Sequence, residues 1–204
     1  MESCLELLKS RRSIRRFKEE RPPLQLIRRA LDCARYAPSA HNSHPWRFIL
    51  VCDKKSKTKL IDAMAKAWKE DLIKLDGLEE KEAEKVVHKG SYERFSKVPY
   101  LILACLDRRE FVLYKDEKRK AAECLMGVQS LATAVQNLLL GLHALELGAC
   151  WNCAPLFCQA EIRKALNLPE YVEPQALVLV GYPAHRPKPK ALKPLSEILH
   201  FNRW

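Results

Sequence analysis

The sequence predicts a mixed α/β fold, rich in helix and poor in strands, and three observations carry this. Only three short apolar runs have strand character: WRFILVC (46–52), YLILACL (100–106) and ALVLVGY (176–182). Elsewhere apolar residues recur at three- and four-residue spacing, the period of a helix face. No regular βαβ alternation and no G-x-G-x-x-G turn occurs, so a doubly wound dinucleotide-binding sheet is not expected.

Residues 3–10 form a short helix leading into a basic segment, RRSIRRF (11–17). Pro22 and Pro23 open a second helix, in which Leu24, Ile27, Leu31 and Ala34 repeat as a buried stripe and Pro38 marks the end. After the loop 39–45, the run 46–52 is the first strand. Two polar amphipathic helices follow, about 57–75 and 79–95, with Gly77 as the break between them. Pro99 precedes the second strand, whose unbroken apolar character predicts burial on both faces.

Residues 121–147 make the longest helix, apolar on nearly every side. Leu125, Val128, Ala132, Val135, Leu139 and Leu142 form one face, and Leu131, Leu138 and Leu145 extend it. Such a helix must be covered all round, by its own sheet or by a second subunit, and we read it as the centre of a dimer. Gly148 is expected to cap it in left-handed conformation. A helix at 159–166 and the strand after Pro174 complete the core. The tail, 183–204, carries too many aromatic and aliphatic residues to hang free and is expected to wrap onto a partner chain.

A length of 204 residues fits one domain, and 48% apolar with 30% charged residues fits an ordered globular protein. The start, MESCLELLKSRR, lacks the basic-then-apolar order of a signal peptide, and no run approaches the roughly eighteen apolar residues of a membrane span. The expectation is a soluble cytoplasmic protein without a membrane partner. The 8 cysteines are scattered, which reads as reduced, buried thiols. A Lys- and Glu-rich surface with 6 glycines fits a thermophilic source, where intracellular disulfides occur, so that option stays open.

The net charge of +11 attracts anions. The cations cluster: Arg11, Arg12, Arg15, Arg16 and Lys18 in one segment, Arg186, Lys188, Lys190 and Lys193 in another. Without aromatic–basic interleaving, phosphate capture is favoured over nucleic-acid binding.

Three segments have the chemistry of a site. RRSIRRF offers guanidinium forks and a hydroxyl to a phosphate monoester; a basic helix end complementing the helix dipole is an equal alternative. APSAHNSHPWRF (37–48) is a small, polar loop able to press its backbone on a flat ring, with Asn42 and Ser43 as hydrogen-bonding groups and His41 and His44 in reach of a cofactor. ELGACWNCAP (146–155) holds Cys150 and Cys153 as C-x-x-C, weak as a zinc or redox motif and better read as two buried thiols. His88 reads as solvated and His143 as a satisfied residue of the apolar helix. Neither H-E-x-x-H nor G-x-S-x-G occurs, and no metal is expected.

These segments, in this order and spacing, resemble the nitroreductase family of flavoproteins. The resemblance runs from RRSIRRF through PSAHNSHPWRF, QNLLLGLHALELGACW and LVGYPAHRPKPK to KPLSEILHFNRW. It implies an α+β sandwich, a central sheet flanked by helices, forming an intertwined homodimer of single-domain chains (1–204) with two FMN sites in the interface. Arg11, Arg12, Ser13 and Arg15 would hold the FMN phosphate and ribityl chain, joined by Arg186. Pro38, Ser39, Ala40 and Asn42 would reach the ring from the other subunit, as would Gln129 or Ser130. Gly148, Ala149, Cys150 and Trp151 would run beside flavin N5. Two positions depart from the family pattern: His44, where glutamine is common before the proline, and Asn152, where an apolar residue or glycine is usual. Both bear on acceptor choice or flavin potential.

The activity implied is ping-pong transfer of hydride from NADH or NADPH through flavin N5 to a small organic acceptor such as a nitroaromatic or quinone. The cofactor carries the chemistry, so no side chain is assigned a catalytic role. Residues 57–95 would flank the cleft and set the acceptor. The same superfamily includes dehalogenating branches; the alternatives are a flavin-fragmenting, dimethylbenzimidazole-forming branch, a dehydrogenase of small heterocycles, a flavin-storing homologue or, from another class, a basic nucleic-acid-binding protein.

Overall fold

The strand Tyr100–Asp107, all of it buried, is the centre of the fold. The computed structural model describes every residue except Met1, Arg186, Pro189 and Lys190. In chain order the main elements are α1 (Glu2–Ser10), α2 (Leu24–Ala34), β1 (Trp46–Val51), α3 (Lys54–Lys74), α4 (Glu80–Val87), α5 (Glu93–Phe95), β2 (Tyr100–Asp107), α6 (Glu117–Ala144), β3 (Gly148–Asn152), α7 (Gln159–Leu166) and β4 (Val172–Gly181). The strands form one antiparallel sheet in the order β1-β2-β4-β3.

Alternation along β2 sends Ile102, Ala104 and Leu106 into one layer and Leu101, Leu103 and Cys105 into the other. The first layer is closed by α2 and α6 through Ile27, Ala30, Val135, Leu138 and Leu142. The second is closed by α3 and α7 through Leu60, Ile61, Met64 and Ile162. This is the α+β sandwich expected of the chain.

Several boundaries differ for identifiable reasons. The buried stripe of α2 is Ile27, Ala30 and Ala34, while Leu24 is exposed. The helix stops at Ala34, ahead of Pro38. α6 begins at Glu117 because Asp116 accepts a hydrogen bond from the Arg119 amide at 3.0 Å, a cap that apolar periodicity cannot reveal. β4 starts at Val172, ahead of Pro174: the register shifts between Ala104 and Cys105, and a proline without an amide fits at that irregularity. Glu146 (φ 60°), not Gly148, takes the left-handed position after α6, and the passage that follows is the strand β3.

α6 is long and apolar enough to span a membrane by length and composition, yet half of its most apolar window is buried in this fold. Of its expected face, Leu139 and Leu142 are buried but Leu125 and Val128 are 59% and 41% exposed. Leu192, Ile198, Phe201 and Trp204 of the tail are likewise exposed. Cys105, Cys150 and Cys158 are buried, whereas Cys153 is exposed, against expectation, as are Cys4, Cys33 and Cys124. Burial pushes the Cys105 and Cys158 thiols up to about 12.

At the end of β2, the fully buried Asp107 meets Arg109 at 2.8 Å and Arg47 at 3.0 Å. The hydrogen bond from Arg109 holds its carboxyl below the usual carboxylate range. A depressed folded pKa adds stability above the unfolded value of about 4, and that stability is lost as pH falls through the folded value. Asp107→Asn is therefore expected to cost about 1–2 kcal/mol near neutrality, the arginines being partly solvated. Urea midpoints measured from pH 7 to pH 3 should converge for wild type and variant; a constant gap would refute the ion-pair account.

Candidate functional site

The basic segment begins as a helix end, where the Arg12 guanidinium donates to the Lys9 and Arg11 carbonyls, and then leaves the helix. It runs extended beside β3: Ser13 bridges Ala149, and the Ile14 amide donates to the Ala149 carbonyl at 2.8 Å. Farther on, Phe17 pairs with Pro183 and the Lys18 amide donates to the Tyr182 carbonyl at 2.9 Å. Gly148 permits this approach, since a Cβ there would lie 2.9 Å from Ile14 Cγ2. Arg11, Arg12, Arg15, Arg16 and Lys18 are thus held on a strip, and none pairs with a carboxylate among the described residues.

A cleft of about 520 Å³ opens beside this strip, lined by Arg11, Arg12, His143, Glu146, Gly148 and Ala149. His143 Nε2 lies 2.9 Å from Ser10 Oγ. Burial, then Arg11 and Arg12, push its pKa below the ordinary histidine value, so the imidazole leaves the positive charge of the cleft to the guanidinium groups. Apolar periodicity placed His143 inside the long helix but gave no sign that it forms a cleft wall.

Past Trp151, a second cleft of about 450 Å³ lies against the end of β3, walled by Trp68, Arg94, Phe95, Asn152, Cys153 and Phe157. Asn152 Oδ1 accepts from the Ala154 amide at 2.8 Å, which shapes the turn out of the strand. Trp151 Nε1 is buried without a hydrogen-bond partner among the described residues. Cys150 lies in the core layer of α3 and α7.

The loop from Pro38 to His44 lines neither cleft. It is pinned to α6, where Ser130 Oγ accepts from the Ala40 amide at 3.0 Å and Thr133 Oγ1 donates to the Pro38 carbonyl at 2.9 Å. His41, Asn42 and His44 have positive φ (54°, 54° and 48°), a left-handed conformation that costs a non-glycine residue about 1–2 kcal/mol. His44 Nε2 lies 2.9 Å from Asn42 Oδ1, its amide donates to Ser39 Oγ at 3.1 Å, and its ring stacks on Trp46. Below the loop, buried Glu123 accepts from the Val112 amide at 3.0 Å, and its other oxygen lies 3.5 Å from His41 Nε2. Ser130 is committed to holding its own chain's loop, while Gln129 is exposed on α6.

The fold therefore joins Arg11, Arg12, Gly148 and Ala149 around one cleft, while Ser13 bridges Ala149 without lining it. Arg15 is exposed on the strip without lining the cleft, and Pro38, Ser39, Ala40, Asn42 and His44 sit apart on the α6 side. Arg186 lies outside the described residues. Among the described residues no cluster of ligating side chains could hold a metal.

The chain matches the Nitroreductase family over residues 8–182. It is 33% identical over 204 residues to the NADH dehydrogenase of Thermus thermophilus, covering 93% of this chain and 91% of that one. To the iodotyrosine deiodinase of Thermotoga neapolitana it is 30% identical over 208 residues, covering 98% and 97%. It is also similar to the crystal structure of an oxidized iodotyrosine deiodinase bound to FMN and 3-iodo-L-tyrosine, with TM-score 0.74, 26% identity and 98% and 99% coverage. With more than half of its length matched by the family and relatives at this identity over nearly the whole chain, the protein belongs to the nitroreductase family.

Proposed function

We propose that this protein is a cytoplasmic, homodimeric, FMN-dependent oxidoreductase that passes hydride from NADH or NADPH to a small organic acceptor, a nitroaromatic or a quinone. The observation that carries this reading is the strip of arginines, none paired with a carboxylate among the described residues, fixed against β3 beside an open cleft. Guanidinium groups at a cleft without a carboxylate partner suit a phosphate monoester, and the flat aromatic walls of the second cleft suit a planar heterocycle.

The two clefts touch β3 at Gly148–Ala149 and at Asn152, the first on the α6 side of the sheet and the second on the α3–α7 side. β3 is the edge strand, and in this reading a ligand with a phosphate at one end and a ring at the other passes along that edge from the first cleft towards the second. Arg11, Arg12, Ser13 and Arg15 bind the phosphate and ribityl chain, with Arg186 as a further cation. The backbone from Gly148 to Trp151, continued by Asn152 and Cys153, lies along the ring. Bound FMN supplies two-electron chemistry at N5; the side chains of this protein supply binding, orientation and exclusion of water. The pinned loop, with Pro38, Ser39, Ala40, Asn42 and His44, reaches the ring of a second copy, and Leu125, Val128 and the tail are the apolar surface that this copy covers. The family relationship and the FMN bound to one structural relative support the cofactor.

A second reading, reductive dehalogenation of a halotyrosine, is favoured by the 30% identity to the Thermotoga neapolitana deiodinase. Both readings meet the same first experiment: size exclusion with light scattering and absorbance detection, then anaerobic titration with NADH and with NADPH. The expected result is a two-chain particle with stoichiometric FMN whose visible bands bleach with one donor. A colourless monomer that takes up no added FMN would overturn the proposal, and iodide release from 3-iodotyrosine would select the second reading.

A further inference from the structure

Trp68 stands out among the residues of the second cleft. It lies on the stripe of α3 that buries Leu60, Ile61, Met64 and Leu72, yet it is 37% exposed. A tryptophan in register with a core stripe but left open has its free surface in the cleft.

What fixes the indole is a residue distant in sequence. Gly90 sits in a π-helical turn, His88–Tyr92, between α4 and α5. Such turns are uncommon and cluster at functional sites. A Cβ on Gly90 would come within 2.4 Å of Trp68 Cζ3 and 2.5 Å of Cη2, so the bare backbone of the turn seats the outer edge of the ring. Both residues line the cleft, where Phe157, 81% exposed, and Asn152 with Cys153 at the end of β3 also contribute.

We propose that Trp68, seated on Gly90, is a specificity-determining residue of the acceptor site: its indole packs against flat aromatic acceptors and favours them over non-aromatic ones. This rests on the reductase reading above. It goes beyond that reading by assigning acceptor choice to one indole and one glycine of the helical segment between β1 and β2.

The test compares wild type with Trp68→Leu, Trp68→Phe and Gly90→Ala, using 4-nitrobenzoate as the aromatic acceptor and ferricyanide as the non-aromatic one, with rates normalised to bound flavin. An aromatic pair contributes on the order of a tenfold preference beyond simple burial. The ratio of kcat/KM for 4-nitrobenzoate to that for ferricyanide should fall about tenfold in Trp68→Leu. Gly90→Ala should lower the ratio in the same sense by unseating the ring, and Trp68→Phe should recover most of it. Calorimetric binding of 4-nitrobenzoate should weaken in the same order. An unchanged ratio in Trp68→Leu and Gly90→Ala, with unchanged binding, overturns the proposal. A wild type that never bleaches with NADH or NADPH would sink the reductase reading and this proposal with it, whereas bleaching with an unchanged acceptor ratio in Trp68→Leu sinks this proposal alone.

Discussion

Replacing Arg11 and Arg15 together by alanine is expected to strip FMN from the protein while leaving it folded. A hydrogen bond to a charged group contributes about 1.5–3 kcal/mol, so removing two guanidinium groups should weaken FMN binding by at least about a hundredfold. The fold tolerates the change because neither side chain is part of the core: Arg15 is exposed, Arg11 lines the cleft, and neither pairs with a carboxylate among the described residues. The strip itself is fixed by backbone contacts to β3 and to the end of β4, which alanine preserves. Flavin content after desalting, read beside the melting temperature, decides the matter. Stoichiometric flavin in the double variant would refute the phosphate assignment.

Gly148→Ala is expected to weaken FMN binding and stability at once. The added methyl would sit 2.9–3.1 Å from Cγ2, Cβ and Cγ1 of Ile14, atoms of a branched and buried side chain with little freedom to yield. The strip must move away from β3, straining the bond from the Ile14 amide to the Ala149 carbonyl. Overpacking of this kind costs about 1–3 kcal/mol, and displaced arginines should bind FMN roughly tenfold more weakly or worse. Ile14→Ala removes Cγ1 and Cγ2 and leaves only Cβ, 3.0 Å from the added methyl, so Gly148→Ala combined with Ile14→Ala should regain part of the FMN affinity that Gly148→Ala alone has lost. Wild-type FMN affinity in the single variant would show that the contact between strip and strand does not position the arginines.

Much of this architecture was legible because local signals agreed with tertiary ones. β2 read as a strand buried on both faces, and α7 matched its expected span of 159–166. What remained hidden depended on partners distant in sequence. β3 is five residues containing a glycine, two polar or aromatic side chains and a cysteine, without the alternation that marks a strand. Only β4 on one side and Ser13 on the other make it one. The arginine strip was visible as a motif, but its extended backbone was not, because basic residues after a helix are equally natural as a helix end. Likewise nothing near Trp68 in the sequence points to Gly90; their contact exists only once α3 and the π-helical turn are packed together.

The placement of sulfur has a consequence for how the protein ages. Oxidation proceeds from the thiolate and depends on access. Cys105 and Cys158, pushed up to about 12 by burial, present almost none of that form near neutrality, and Cys150 is closed off in the core. These sulfurs behave as hydrocarbon. Cys153 differs, being exposed and bordering the second cleft. Peroxide would therefore mark the helical surface at Cys4, Cys33 and Cys124 and, at the cleft, Cys153, so that a sulfenic acid at the end of β3 is the first chemical scar to reach the proposed acceptor site.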